Sequence, residues 1–190
     1  MDSTNQQFSH GQTGVQVNLG KRDGAGVGVP QDYEHIARGY VQAAEQGLAT
    51  SQYNLGVLYE EGLGVSQDYG KAAQWYRLAA KQGLAQAQHN LGVLYDNGSG
   101  VAQDYGEAVR WYVLAADQGL AQAQYNLGAM LYNGDGVPQD SIKAYLWVTL
   151  AAWQGIEDAA TKQNYLEESF TPGKLAEAQR LAREWKPKGE

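Results

Sequence analysis

Residues 85–120 read AQAQHNLGVLYDNGSGVAQDYGEAVRWYVLAADQGL, and this stretch is a second copy of the 36 residues before it. Residues 49–84 and 85–120 are identical at 24 of 36 positions, and residues 121–156 repeat the pattern in looser form. The triplet Asn54-Leu55-Gly56 returns at residues 90–92 and 126–128, each time 36 residues further on. A fixed period of this length indicates a stack of small units, each stable only against its neighbours. We therefore expect function on a repeated surface.

The composition excludes several classes of protein. The formal charge of -7 and the pI near 4.9 argue against binding of nucleic acid or of an anionic membrane, because both require clustered Lys and Arg. The chain contains no cysteine, so disulfides, thiolate metal sites and a cysteine nucleophile are excluded.

No apolar run approaches the length of a transmembrane helix. As written, the start Met1–Gln7 carries no secretory signal, which indicates a soluble cytoplasmic protein. The compartment stays open, since a cysteine-free chain that had lost a signal would suit the periplasm or secretion equally.

Each repeat predicts a helix A, a glycine loop and a helix B. In the first full repeat, helix A is predicted from about Ala49 to Glu60, and Gly62 and Gly64 supply the positive φ of a helix end and a tight loop. Asp68 is the expected N-cap of helix B, which ends near Gln82. Equivalent aspartates at positions 104 and 140 are therefore interpreted as caps and not as acid–base pairs.

The same register divides the whole chain. A helix B is predicted from about Tyr33 to Gln46, while the glycine-rich start is disordered, tag-like or a decayed half repeat. Near the C-terminus, Thr171-Pro172 predicts the start of an amphipathic terminal cap. The predicted parts are an N-terminal segment (1–23), a partial repeat (24–48), three repeats (49–84, 85–120 and 121–156) and C-terminal capping helices (157–190).

The repeated string Ala-x-Ala-Gln-x-Asn-Leu-Gly-x-x-Tyr-x-x-Gly-x-Gly-Val-x-x-Asp-Tyr, continued by Trp-Tyr-x-x-Ala-Ala-x-Gln-Gly, resembles the Sel1-like repeat family. This resemblance covers residues 24–156. It implies an all-α fold, a right-handed superhelix (solenoid) of antiparallel helix pairs related to tetratricopeptide repeats. It also implies a non-catalytic adaptor or scaffold for other proteins. Penicillin binding has been credited to cysteine-rich members, and it is not carried over to this cysteine-free chain.

Helical geometry separates two faces of helix A. Residues Gln52, Leu55 and Leu58 share one side, which is the expected packing face. The resemblance implies that the opposite face lines a concave groove. The predicted partner-binding residues are Tyr53, Asn54, Val57, Glu61, His89, Asn90, Val93, Asn97, Tyr125, Asn126, Ala129 and Asn133.

An asparagine row offers amide donors and acceptors to the main chain of an extended peptide, and tyrosines add apolar area. The predicted groove residues include no Lys or Arg, which favours a neutral or mildly basic peptide or protein as the partner. A second interpretation is that the asparagines only bond a neighbouring helix end or water. The tryptophans at positions 75, 111 and 147 are interpreted as packing between helices.

No cofactor, metal or catalytic site is predicted. His89 has no second histidine in register, and Gly24–Gly28 lacks the strand and Lys-Ser/Thr of a phosphate loop. Two alternatives to the scaffold remain: a self-associating structural component, and a cell-wall-linked hydrolase suggested by the cysteine-rich relatives. The identity of the partner and the oligomeric state stay open.

Overall fold

The structure is a computed structural model that describes the backbone of residues 30–188 and the side chains of residues 33–188. Over this range every regular element is an α-helix, as the sequence predicts. The helices are α1 (Pro30–Glu45), α2 (Ala49–Glu61), α3 (Tyr69–Lys81), α4 (Ala85–Asn97), α5 (Tyr105–Asp117), α6 (Ala121–Asn133), α7 (Ser141–Trp153), α8 (Glu157–Ser169) and α9 (Pro172–Glu184). The predicted N-terminal segment, residues 1–23, lies outside the described residues.

The described chain divides into two compact units. The N-terminal unit contains α1–α4 and ends at Gln103, and the C-terminal unit contains α5–α9 from Asp104 onward. Helices α1 to α4 pack in succession, as do α5 to α8, and α9 packs against α7. In α2 and α6, helix A is therefore covered from two sides, since α2 contacts α1 and α3 while α6 contacts α5 and α7.

Three aspartates begin the B helices, as predicted. The carboxylates of Asp68, Asp104 and Asp140 accept the backbone N–H three residues on, at 2.9, 3.0 and 3.0 Å. Each of these bonds satisfies an N–H group that the first helical turn leaves without a partner. At Asp140, burial alone would raise the pKa, but the N–H and ammonium groups of Lys143 outweigh burial and lower it.

Glycines end the A helices and allow the following loop to approach the preceding helix B. Gly98 has the left-handed conformation, with φ of 67°, and its N–H bonds the carbonyl of Leu94. Two residues later, a Cβ on Gly100 would lie 2.3 Å from the carbonyl carbon of Tyr69 at the start of α3. Any side chain at position 100 would therefore push the loop away from α3.

Repeated glutamines bridge the helices of each unit, a feature that the sequence analysis did not anticipate. The amides of Gln52, Gln88 and Gln124 donate to the carbonyls eight residues earlier, near the end of the preceding helix B, at 3.1, 3.1 and 3.2 Å. These carbonyls belong to the last helical turn, where intrahelical donors run out. Helix A has no side-chain N-cap, because a leucine or isoleucine stands in that position. The glutamines instead tie its first turn to the previous helix.

The end of the chain folds back over the C-terminal unit. The indole rings of Trp147 and Trp185 meet edge to face with centroids 5.8 Å apart. Beyond α9, the backbone N–H of Lys188 donates to the carbonyl of Asp117 at 2.7 Å, and its ammonium lies 2.6 Å from the Asp117 carboxylate. The amphipathic cap predicted at Thr171-Pro172 is thus present as α9, and the tail behind it is held by α5.

Candidate partner-binding surface

The structure distributes the twelve predicted groove residues between interior and surface. Seven of them are at most 3% exposed, namely Val57, His89, Asn90, Val93, Tyr125, Asn126 and Ala129. The prediction that these side chains face solvent is wrong. For α2 and α6 the reason is that each packs against a helix B on both sides, so residues opposite Leu55 and Leu127 are covered as well.

Four predicted positions in the N-terminal unit remain accessible. Tyr53 and Asn54 are half-buried on α2, while Glu61 and Asn97 are exposed at the last positions of α2 and α4. In the C-terminal unit, Asn133 is half-buried, and its amide donates to the carboxylate of Asp135 at 3.0 Å. The accessible set therefore consists of amides, one phenol and one carboxylate.

Asn90 takes part in a buried polar network. Its Oδ1 lies 3.1 Å from Nδ1 of His89. Burial, followed by the charge of Glu60, raises the pKa values of the Tyr53 and Tyr76 phenols, whereas the Asn90 amide acts in the lowering direction on both. The Tyr53 and Tyr76 rings are 5.8 Å apart. For Asn90, this arrangement supports the second interpretation, because its amide lies among side chains of α2 and α3, although its Nδ2 is buried without a hydrogen-bond partner among the described residues.

The same network contains three buried ionisable groups, Glu60, Tyr76 and His89. Tyr76 donates to the Glu60 carboxylate at 2.5 Å, and burial raises the pKa of Glu60 although this bond opposes the rise. Burial lowers the pKa of His89 to about 4, and the contact with Asn90 only partly offsets it. A carboxylate beside a phenol and a neutral imidazole resembles acid–base machinery in residue types alone. Because Glu60, Tyr76 and His89 are buried, this network holds helices together and offers no surface to a substrate.

A cavity of about 330 Å³ lies in the C-terminal unit beside the folded-back tail. It is lined by Gly119, Leu150, Trp153, Gln154, Ala182, Arg183, Trp185 and Pro187. The sequence predicted an amphipathic cap from Thr171-Pro172 onward but gave no sign of this cavity. The signal was the Trp-x-Pro-Lys order at residues 185–188, whose docking partner stands 71 residues away in sequence at Asp117.

Between residues 30 and 188, no three His, Cys, Asp or Glu side chains are grouped so that they could hold a metal ion. Within the same part of the chain, none of the helices has the length and apolar character needed to span a membrane.

The fold and the repeated internal bonds define an all-α helical repeat protein. The Sel1 repeat model matches four times, at residues 15–48, 49–84, 85–120 and 121–155. The chain therefore belongs to the Sel1 repeat family. Proteins with these repeats are generally protein-interaction scaffolds and typically non-catalytic.

Two solved structures illustrate the similarity. One is c5321, described as a protective antigen of uropathogenic Escherichia coli with an SLR fold, at 34% identity and a TM-score of 0.67. The other is a Sel1 repeat protein from Oxalobacter formigenes, at 33% identity and a TM-score of 0.68. The matches cover 82% and 79% of this chain but only 38% and 64% of those chains. No curated protein sequence matches this chain significantly.

Proposed function

We propose that this chain is a non-catalytic interaction scaffold that binds a protein or an extended peptide through the accessible residues of helix A. In the N-terminal unit, this helix A surface consists of Tyr53, Asn54, Glu61 and Asn97. The observation that carries the proposal is that these four residues stay accessible, whereas the equivalents of Tyr53 and Asn54 in the next repeat, His89 and Asn90, are buried. Interior amides hold the scaffold, and the outer ones are available to a partner.

The chemistry of the helix A surface favours one kind of partner. Asn54 and Asn97 supply amide donors and acceptors, which pair with the main chain of an extended peptide whatever its side chains. Tyr53 supplies apolar area with a polar tip, a composition enriched in interfaces. Glu61 adds a negative charge, so a neutral or mildly basic segment is the best match. An acidic or phosphorylated segment would meet no cation among these four residues.

The proposal is tested by affinity capture from the native organism with quantitative mass spectrometry. The bait is the wild-type chain or the double variant Asn54→Arg/Asn97→Arg, which places long cations on the helix A surface. A matched control, Thr161→Arg/Asn164→Arg, makes the same change of charge at exposed positions of α8.

We expect at least one protein that the wild type and the α8 control capture equally and that the helix A variant loses. The proposal is contradicted if the helix A variant and the wild type capture the same proteins in the same amounts. Self-association of the chain would be recognised separately, as a concentration-dependent increase of mass in sedimentation experiments.

A further inference from the structure

The folded-back tail shows how this repeat architecture holds an extended peptide. Trp185 has extended backbone angles, φ of -65° and ψ of 142°, and its indole packs on Trp147. Pro187 and Trp185 lie over Gly119, at the corner between α5 and α6. Lys188 then closes the segment with one backbone bond and one ion pair to Asp117. Residues 185–188 are therefore an internal ligand of the corner formed by α5, α6 and α7.

The same corner occurs two repeats earlier, inside the N-terminal unit. Subtracting 72 from the numbers of Trp147, Leu150, Asp117 and Gly119 gives Trp75, Leu78, Glu45 and Gly47. The tryptophan, leucine and glycine are retained, and one carboxylate replaces another. Trp75 packs against the apolar cluster formed by Ala37 and Ala44 of α1 and Leu55 and Leu58 of α2.

Backbone and side-chain geometry agree between the two corners. Gly47 and Gly119 both have φ of 91°. The following leucines also agree, with φ and ψ of -70° and 111° at Leu48 and of -69° and 112° at Leu120. A glutamine at the end of each helix B also bonds in the same way. Gln82 at the end of α3 donates to Gln52 at 2.7 Å, and Gln154 at the end of α7 donates to Gln124 at 2.8 Å. The earlier corner is therefore preformed for a segment like the tail.

The earlier corner differs in that its apolar surface is open. Leu150 is 6% exposed beside the tail, whereas Leu78 is 45% exposed and Leu48 is 55% exposed. Glu45 is an exposed carboxylate at the last position of α1, where the helix end also leaves carbonyl groups without intrahelical donors. One wall residue changes, because Lys81 stands where the C-terminal unit has Trp153.

We propose that the α1–α3 corner, formed by Glu45, Gly47, Leu48, Trp75 and Leu78, binds an extended segment of a partner protein. The segment has the order of the tail: an aromatic residue, a proline two positions later and a lysine or arginine directly after it. The aromatic ring packs on Trp75 and covers the two leucines, and the basic side chain pairs with Glu45. The tail of the same chain is not the occupant, because Asp117 and Trp147 already hold it.

This inference rests on the proposed function in treating the chain as an interaction scaffold, but it concerns helix B and not the helix A surface. The probe is a fluorescein-labelled peptide of residues 181–188, LAREWKPK, titrated with the full chain and followed by fluorescence anisotropy. We expect saturable binding to the wild type. Leu78→Ser and Glu45→Lys are each expected to weaken it by about tenfold, because the first removes apolar contact and the second places like charges together.

Matched controls separate the corner from other surfaces. Leu114→Ser changes an equally exposed leucine, 47% accessible, at the equivalent position of α5 and should leave the affinity unchanged. Asn54→Arg/Asn97→Arg should also bind the peptide normally, so failure of the helix A surface and failure of this corner give different results. A peptide that ends in Glu instead of Lys is expected to recover affinity for Glu45→Lys.

Three results would overturn the proposal. The first is the absence of saturable binding to the wild type. The second is binding that is insensitive to Leu78→Ser and Glu45→Lys but lost in Asp117→Lys, which would show that the peptide displaces the tail from its own corner. The third is a dimer of the full chain that Leu78→Ser dissociates, because a second copy would then occupy the corner.

Discussion

At the scale of single residues, polar side chains on helix A have two different roles in equivalent positions. Asn90 and His89 are buried and bonded to each other, whereas Asn54 on the previous helix A is half-buried. The two side chains differ in how completely they are removed from water. A buried polar group must form its hydrogen bonds inside the protein, whereas a half-buried one can still bond to water. Two predictions follow from this contrast.

The first concerns the pH dependence of stability. The folded-state pKa of His89 is lowered to about 4 from its ordinary value near 6.5, so the unfolded chain binds more protons between these values. The contribution of neutral His89 is therefore complete above about pH 6.5 and is lost as the pH falls towards 4, on the order of 1–3 kcal/mol. His89→Tyr, which installs the residue found at positions 53 and 125, should remove this part of the slope.

Urea denaturation between pH 7.5 and 4.5 measures that slope. The control is His35→Gln, which removes an exposed histidine of α1. The pKa of Glu60 is raised by burial, but Glu60 is present in all three proteins, so its contribution cancels in the comparison. Equal losses of stability in the wild type and His89→Tyr would show that His89 is not held neutral by burial.

The second prediction compares two asparagines of the same motif. Asn90→Ala removes a buried amide that contacts His89, Tyr53 and Tyr76, and it should lower the free energy of unfolding by about 1–2 kcal/mol. Asn54→Ala changes a half-buried position and should stay within about 0.5 kcal/mol of the wild type. Chemical denaturation of both variants measures the difference. Equal stability of the two variants would show that Asn54 and Asn90 do not differ in their contribution to the interior.

At the scale of helices, glycines inside regular elements report how closely neighbouring helices approach. A Cβ on Gly56 in α2 would lie 2.6 Å from ring carbons of Tyr76 in α3, and Tyr76 is fully buried. Gly39 stands inside α1 with nothing within 4 Å of the added Cβ. The two glycines therefore have the same backbone cost but opposite surroundings.

The third prediction uses these two glycines as a matched pair. Gly56→Ala should destabilise the protein by about 1–3 kcal/mol, because the buried ring has no room to move. Gly39→Ala should stabilise it by up to about 1 kcal/mol, because alanine reduces the entropy lost on folding without a clash. Thermal melting of the two variants gives the signs directly. A stabilising effect of Gly56→Ala would mean that α2 and α3 are further apart than described.

Helix boundaries followed from the sequence because their signals are local. The predicted helix A from Ala49 to Glu60 and the N-cap at Asp68 are confirmed, with α2 ending one residue later at Glu61. A cap is read from a residue and its neighbours three positions on, so no knowledge of packing is needed. The cross-helix bond of Gln52 to the carbonyl of Ala44 was missed, because it depends on how two helices meet.

At the scale of the whole molecule, the family and the all-α repeat fold were predictable from the 36-residue period, whereas the accessible surface was only partly so. Periodicity at 100° per residue distinguishes one packed face from its opposite, and it assumes a helix with a single covered side. Helices α2 and α6 each pack between two B helices, which buries Val57 and Ala129 as well. Docking of Lys188 on Asp117 has no periodic signal.

The central claim is that the predicted groove residues of helix A are buried, apart from the few that form the accessible helix A surface. Hydroxyl-radical footprinting of the native chain, read by mass spectrometry, tests this claim most directly. Tyr105, an exposed residue, serves as the reference for full reactivity. We expect oxidation of Tyr53 at an intermediate rate, with His89 and Tyr125 protected by about tenfold or more relative to Tyr105. Oxidation of His89 and Tyr125 at the rate of Tyr53 would contradict this claim, because it would show that both side chains face solvent.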